Sequence, residues 1–132
     1  MKLIFASILS TALIINPTIN ASAQENDTFE CDFSAQVAEY AMKNRQNDIS
    51  IEYSLRNVSY LTNSLMAQID PRDGKEFNER AVNVIKQADA NSRFIVEWAY
   101  KKPYGYSQQM KNKYITEFTS LIYTACMKDK RR

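Results

Sequence analysis

The sequence predicts an all-α protein, a four-helix up-down-up-down bundle with one disulfide joining its first and last helices. Three observations lead there. The 132 residues include only 2 glycines and 3 prolines, too few to punctuate a chain of many short strands. Apolar residues recur at intervals of three and four, the spacing of one helix face. The only cysteines are Cys31 and Cys126, far apart in the chain and close to the ends of the helical region.

Residues 1–23 read as an export leader. Lys2 supplies a small positive start, "LIFASILSTALII" an apolar run, Pro17 a break, and "ASA" at 21–23 a small-x-small cleavage pattern before Gln24. The run falls short of the ~20 residues a spanning helix needs, and no later segment approaches that length. The mature product is therefore expected to be one soluble helical domain, residues 24–132, with no stable membrane insertion. Its home would be the periplasm of a Gram-negative cell, or the exterior for another source.

The first helix is expected from a cap at Asp27, with Glu30 three residues on, to about Gln46. Its polar residues Asp32, Gln36, Glu39, Lys43 and Gln46 share one narrow face on a helical wheel, and Phe33, Val37, Tyr40, Ala41 and Met42 fill much of the remainder. Arg45 falls on the apolar side, where it needs a carboxylate or carbonyl partner. After the polar break "NDIS", Ile51, Leu55, Val58, Thr62, Leu65 and Ile69 step four and three as the seam of a second helix. "DPRDG" at 70–74 makes the next turn, with Asp70 or Asp73 placed to cap the third helix. There Phe77, Ala81, Val84, Ala88, Asn91, Ile95 and Trp98 form the expected seam, and Asn91 within it suggests a bend or break near 89–92. The fourth helix follows Ser107 as cap and carries Tyr114, Phe118, Leu121 and Ala125 on one stripe, with Ile115, Ile122 and Cys126 beside it.

Export places Cys31 and Cys126 in an oxidising compartment, so a single disulfide is the default. It closes a loop of about 95 residues, for which chain entropy suggests ~4–5 kcal/mol. Bonded cysteines need nearby backbones, and an even number of antiparallel helices brings the start of the first and the end of the last to the same end. The alternative, a catalytic thiol, usually works with a histidine base, and the chain has 0 histidines.

That absence also removes Ser-His-Asp and Cys-His arrangements and the usual mixed zinc sites. Glycine at 74 and 105 alone cannot write a phosphate-cradling loop or a dinucleotide fingerprint, and "DPRDGKEFNE" lacks the spacing of a calcium loop. No catalytic residue, metal site or cofactor is assigned. A carboxylate-pair hydrolase needs only two acids across a cleft, for which Glu97 and Glu117 are the nominees.

Charge adds one hint. Without Lys2 the 17 basic residues become 16 against 15 acidic, which gives no overall attraction to nucleic acid. Residues 24–100 carry 8 basic and 13 acidic side chains and residues 101–132 carry 8 and 2. A positive C-terminal third suits an acidic partner, although pairing within the fold accounts for it equally. The best candidate surface is "EWAYKKPYGYS" at 97–107. Pro103 and Gly105 end a helix there, and Tyr100, Lys101, Lys102, Tyr104 and Tyr106 form an aromatic, cationic corner of the kind enriched at interfaces. The lysines also suit a helix C-terminus.

Cys31, "AMKNRQ" at 41–46, "AYKKP" at 99–103, "EF" at 117–118 and Cys126 resemble a group of small, exported, two-cysteine helical proteins of Gram-negative bacteria that have no assigned activity. The resemblance implies a periplasmic location and a paired disulfide, and it carries over no catalytic or ligand-binding residue. It would place a glycine after Arg45-Gln46, where this chain has Asn47-Asp48. The leading expectation is a periplasmic binding protein without turnover, acting on a protein or envelope-component partner, for instance as inhibitor of or immunity protein to an envelope-targeting toxin. The alternatives are an acid-responsive holdase that unmasks apolar helix faces, and the small hydrolase above.

Overall fold

The computed structural model describes residues 23–132, with side chains from residue 28 onward. The leader expected over 1–23 lies outside these residues apart from Ala23. Four helices follow in order: α1 (Ala23–Gln46), α2 (Ile51–Met66), α3 (Lys75–Tyr100) and α4 (Gln108–Lys130), with a short 3-10 turn, Pro71–Asp73, before α3. No strand occurs among the described residues.

Serine sets two of the starts. Ser50 and Ser107 are extended N-caps whose hydroxyls accept from the amides of Tyr53 and Met110, satisfying donors that the first turn leaves orphaned. The other two starts differ from expectation. Helix α1 already runs through Asp27, because it begins at Ala23. Asp70 caps the 3-10 turn, accepting from the Arg72 amide at 2.9 Å, and its carboxyl is held below the usual range by hydrogen bonds from the Arg72 guanidinium and amide. The N-cap of α3 is Gly74, at φ +94°, and has no side-chain cap bond.

The helices alternate in direction. Cys31 and Cys126 are bonded with Cα atoms 5.5 Å apart, while at the opposite end Arg45 of α1 reaches the backbone just before α4. Helix α1 is central, packing along both α4 and α3, and α2 packs mainly on α3. The core gathers Val37, Ala41 and Met42 of α1, Val58 of α2, Ile95, Val96 and Ala99 of α3, and Phe118 and Ile122 of α4. Met42 is fully buried, and burying such a side chain stabilises by ~1.5–3 kcal/mol. A polar clasp fixes α2 on α3. The buried Thr62 hydroxyl donates to Asp89 at 2.6 Å, and Arg93, paired with Asp89, donates to Ser59 at 3.0 Å.

Two expected seams hold only in part: Ile95 and Trp98 of α3 and Tyr114 and Phe118 of α4 reach the core. On α3 the inward residues are Ile85, Ser92, Ile95, Val96 and Ala99, whereas Phe77 and Val84 are 49% and 54% exposed. Asn91 faces outward, and α3 runs without a break from Lys75 to Tyr100. On α4, Phe118 and Ile122 are buried while Leu121 and Ala125 are exposed. The α3 residues of the main core, Ile95, Val96 and Ala99, all lie in its last two turns, and Phe77 and Val84 precede that stretch. In α1, Gln46 leaves the expected polar face entirely and is 2% exposed.

Candidate functional site

The aromatic corner lies where the α3–α4 connection crosses the turn between α1 and α2, and residues of that turn shape it. After Arg45-Gln46 the chain reverses through Asp48 at φ 60°, a left-handed conformation that costs a non-glycine residue ~1–2 kcal/mol. Asp48 thus adopts a conformation that glycine reaches without this cost. Its carboxylate gains a compensating contact, accepting from the Tyr104 hydroxyl at 2.9 Å. That bond raises the Tyr104 phenol above its ordinary range.

Three backbone groups of the connection are tied to α1. Arg45 Nε donates to the Lys102 carbonyl at 3.2 Å, Gln46 Nε2 donates to the Pro103 carbonyl at 2.9 Å, and the Gly105 amide donates to Gln46 Oε1 at 2.7 Å. Gln46 thus uses both ends of one amide to replace missing backbone partners, which explains why a polar side chain is buried here. The carbonyl partner that Arg45 required is Lys102. Its guanidinium also lies 3.7 Å from the Tyr104 ring centroid and 5.9 Å from that of Tyr100, a favourable cation–π placement. Gly105 is needed for close approach: a Cβ there would sit 2.5 Å from the Lys111 backbone nitrogen and 2.9 Å from the Met110 carbonyl carbon.

Tyr100 is committed to the interior. Asn44 Nδ2 donates to Ser54 Oγ at 2.9 Å, Ser54 Oγ lies 2.9 Å from the Tyr100 hydroxyl, and that hydroxyl donates to the Ile49 carbonyl at 2.7 Å. Each hydroxyl has one proton, so the chain runs from Asn44 through Ser54 and Tyr100 to the backbone of the α1–α2 turn. Burial is the main cause that lifts the Tyr100 phenol above its ordinary range. Lys102 places its ammonium 5.1 Å from the Trp98 ring centroid and 5.8 Å from that of Phe118. Those two rings meet edge-on with centroids 5.6 Å apart.

Of the five residues expected to form a binding surface, Tyr100, Lys102 and Tyr104 therefore also hold the fold together. Lys101 and Tyr106 point to solvent, Tyr106 at 95% exposure. Pattern reading missed Gln46 and Asp48 as contributors. Arg45 was legible as a cation in need of a partner, but a buried glutamine bonded to distant backbone leaves no local signal. Both nominated carboxylates lie on the surface. Glu97 is exposed on α3, and Glu117 is exposed on α4 beside Lys113 at 3.8 Å. Among the described residues no group of three or more His, Cys, Asp or Glu is arranged to hold a metal ion, and no helix is long and apolar enough to cross a membrane. No family model, curated protein or solved structure matches the chain.

Proposed function

We propose that this is an exported, non-enzymatic binding protein that engages a protein or envelope-component partner through the connection at 101–106. One observation carries the reading: Tyr106, 95% exposed, projects from a loop whose backbone is fastened to α1 at Lys102, Pro103 and Gly105. An exposed tyrosine on a braced loop loses little freedom on binding and offers a large amphipathic contact, the properties of an interface anchor. Lys101 beside it supplies a charge for orientation. A rigid protruding loop suits the occlusion of a cleft, so inhibition of an exported toxin, or immunity to one, is the form of binding that fits it best. The Cys31–Cys126 bond suits an oxidising compartment such as the periplasm.

The test is affinity capture from periplasmic extract with the disulfide-bonded protein, run beside Tyr106→Ala, a change at a solvent-facing side chain that leaves the fold intact. A specific partner retained by the parent and lost by the variant is the expected result. If every captured partner stays bound to Tyr106→Ala, this loop is not the binding surface.

A further inference from the structure

The Cys31–Cys126 bond joins two sulfurs in unequal settings. Cys31 is 0% exposed and belongs to α1, the helix that packs along both α3 and α4. Cys126 is half-buried beside the exposed Ala125, on α4, whose main packing partner is α1. Lys130, one turn beyond Cys126, is paired with Glu30, the residue before Cys31. That contact is a second link between the same two helix ends, and it holds them together when the sulfurs are not bonded.

We infer that this bond is made and broken through Cys126: a low-molecular-weight disulfide reacts there first, and Cys31 is the resolving thiol. In the oxidising direction the Cys126 thiolate attacks one sulfur of the small disulfide R–S–S–R, forming Cys126–S–S–R and releasing one R–S⁻. The Cys31 thiolate then attacks the Cys126 sulfur, closes the protein bond and releases the second R–S⁻. Two protein thiols lose two electrons, the small disulfide gains both, and the two protons leave on the released thiols. The opposite order fails on access. Cys31 offers no surface to a molecule from outside, whereas the Cα of Cys126 lies 5.5 Å from its own.

Reduction retraces this path. A small thiolate attacks the Cys126 sulfur and expels Cys31 as a thiolate in a closed site, and burial disfavours that form. Cys31 sits next to the mixed disulfide and attacks it before a second small thiol arrives, so the bond re-forms. Burial of one sulfur is enough to protect the crosslink while the other stays open to exchange.

Single-cysteine chains separate the two roles. Cys31→Ala leaves Cys126 without a resolving thiol, Cys126→Ala leaves Cys31 by itself in the interior, and circular dichroism checks that each is folded. Oxidised glutathione is the probe, and intact mass reads its addition. Cys31→Ala is expected to take up one glutathione and keep it, and Cys126→Ala to react roughly tenfold or more slowly, a difference that vanishes in urea. The reduced parent chain should pass to the bonded form without a lasting adduct. Brief alkylation of that reduced parent with limiting iodoacetamide, followed by peptide mapping, needs no substitution and should find the label at Cys126. Label shared equally or mainly at Cys31 would overturn the inference, as would Cys126→Ala reacting as fast as Cys31→Ala. This site lies at the opposite end of the bundle from Tyr106, so Tyr106→Ala is expected to leave these rates unchanged, and the two proposals stand or fall independently.

Discussion

The two ends of the bundle are closed by different means. At the loop end, where α1 turns into α2 and α3 leads into α4, side chains of α1 bond directly to the opposing backbone, and the Asn44–Ser54–Tyr100 chain ties three helices to one turn. At the other end, the Cys31–Cys126 bond and the Lys130–Glu30 ion pair join α1 to α4, and the turn between α2 and α3 is largely exposed. The first closure depends on directional bonds, each needing a specific residue and an accurate distance. The second depends on one covalent link that fixes proximity and little else. Precision sits at the end that displays Tyr106, while open apolar surface remains along α3 and α4.

Replacing both cysteines, Cys31→Ser with Cys126→Ser, tests the covalent end and should have the largest effect. Loss of a crosslink with sequence separation 95 is expected to cost up to ~4–5 kcal/mol, read as a fall in the urea midpoint. Amide exchange should rise first around residue 31 and in the last turns of α4 and spare the loop end. Uniform acceleration would mean that the two ends are not independent. Gly105→Ala tests the directional end. Its methyl group meets backbone atoms of the first turn of α4, and overpacking of this kind costs ~1–3 kcal/mol. Exchange should then rise at the amides of 105 and 106, and an unchanged urea midpoint would show that the loop accommodates the methyl by shifting. Asp48→Gly has the smallest expected effect. It relieves the left-handed backbone penalty of ~1–2 kcal/mol and removes the bond from Tyr104, worth ~0.5–1.5 kcal/mol. Stability should therefore stay within about 0.5 kcal/mol of the parent, and a loss above about 1 kcal/mol would show that the Tyr104 contact outweighs the strain.

Sequence periodicity identified what is repeated and local. The four helices, the Ser107 cap, the α2 seam with Val58 and Thr62, and the pairing of the two cysteines were all legible, because each follows from spacing or from a single residue type. The faces of α3 and α4 were legible only in part. Ile95, Trp98, Tyr114 and Phe118 of the expected seams reach the core, whereas Phe77, Val84 and Leu121, with the same apolar weight, stay exposed. Periodicity measures how apolar a face is and carries no information on how near a neighbour can come. The corner was legible as a place and only partly as a structure. Its tyrosines and lysines stand together in the chain, whereas Gln46 and Asp48 reach it from residues more than fifty positions away.

The bond between residues 31 and 126 turns the intervening polypeptide into a macrocycle. A protease that nicks it once, in the exposed stretch around Pro71–Asp73 for example, opens the ring without releasing a fragment. Both arms remain tethered and adjacent, and reassembly stays intramolecular. For a protein of 132 residues proposed to work among the hydrolases of an extracytoplasmic compartment, a first cleavage would then be survivable damage.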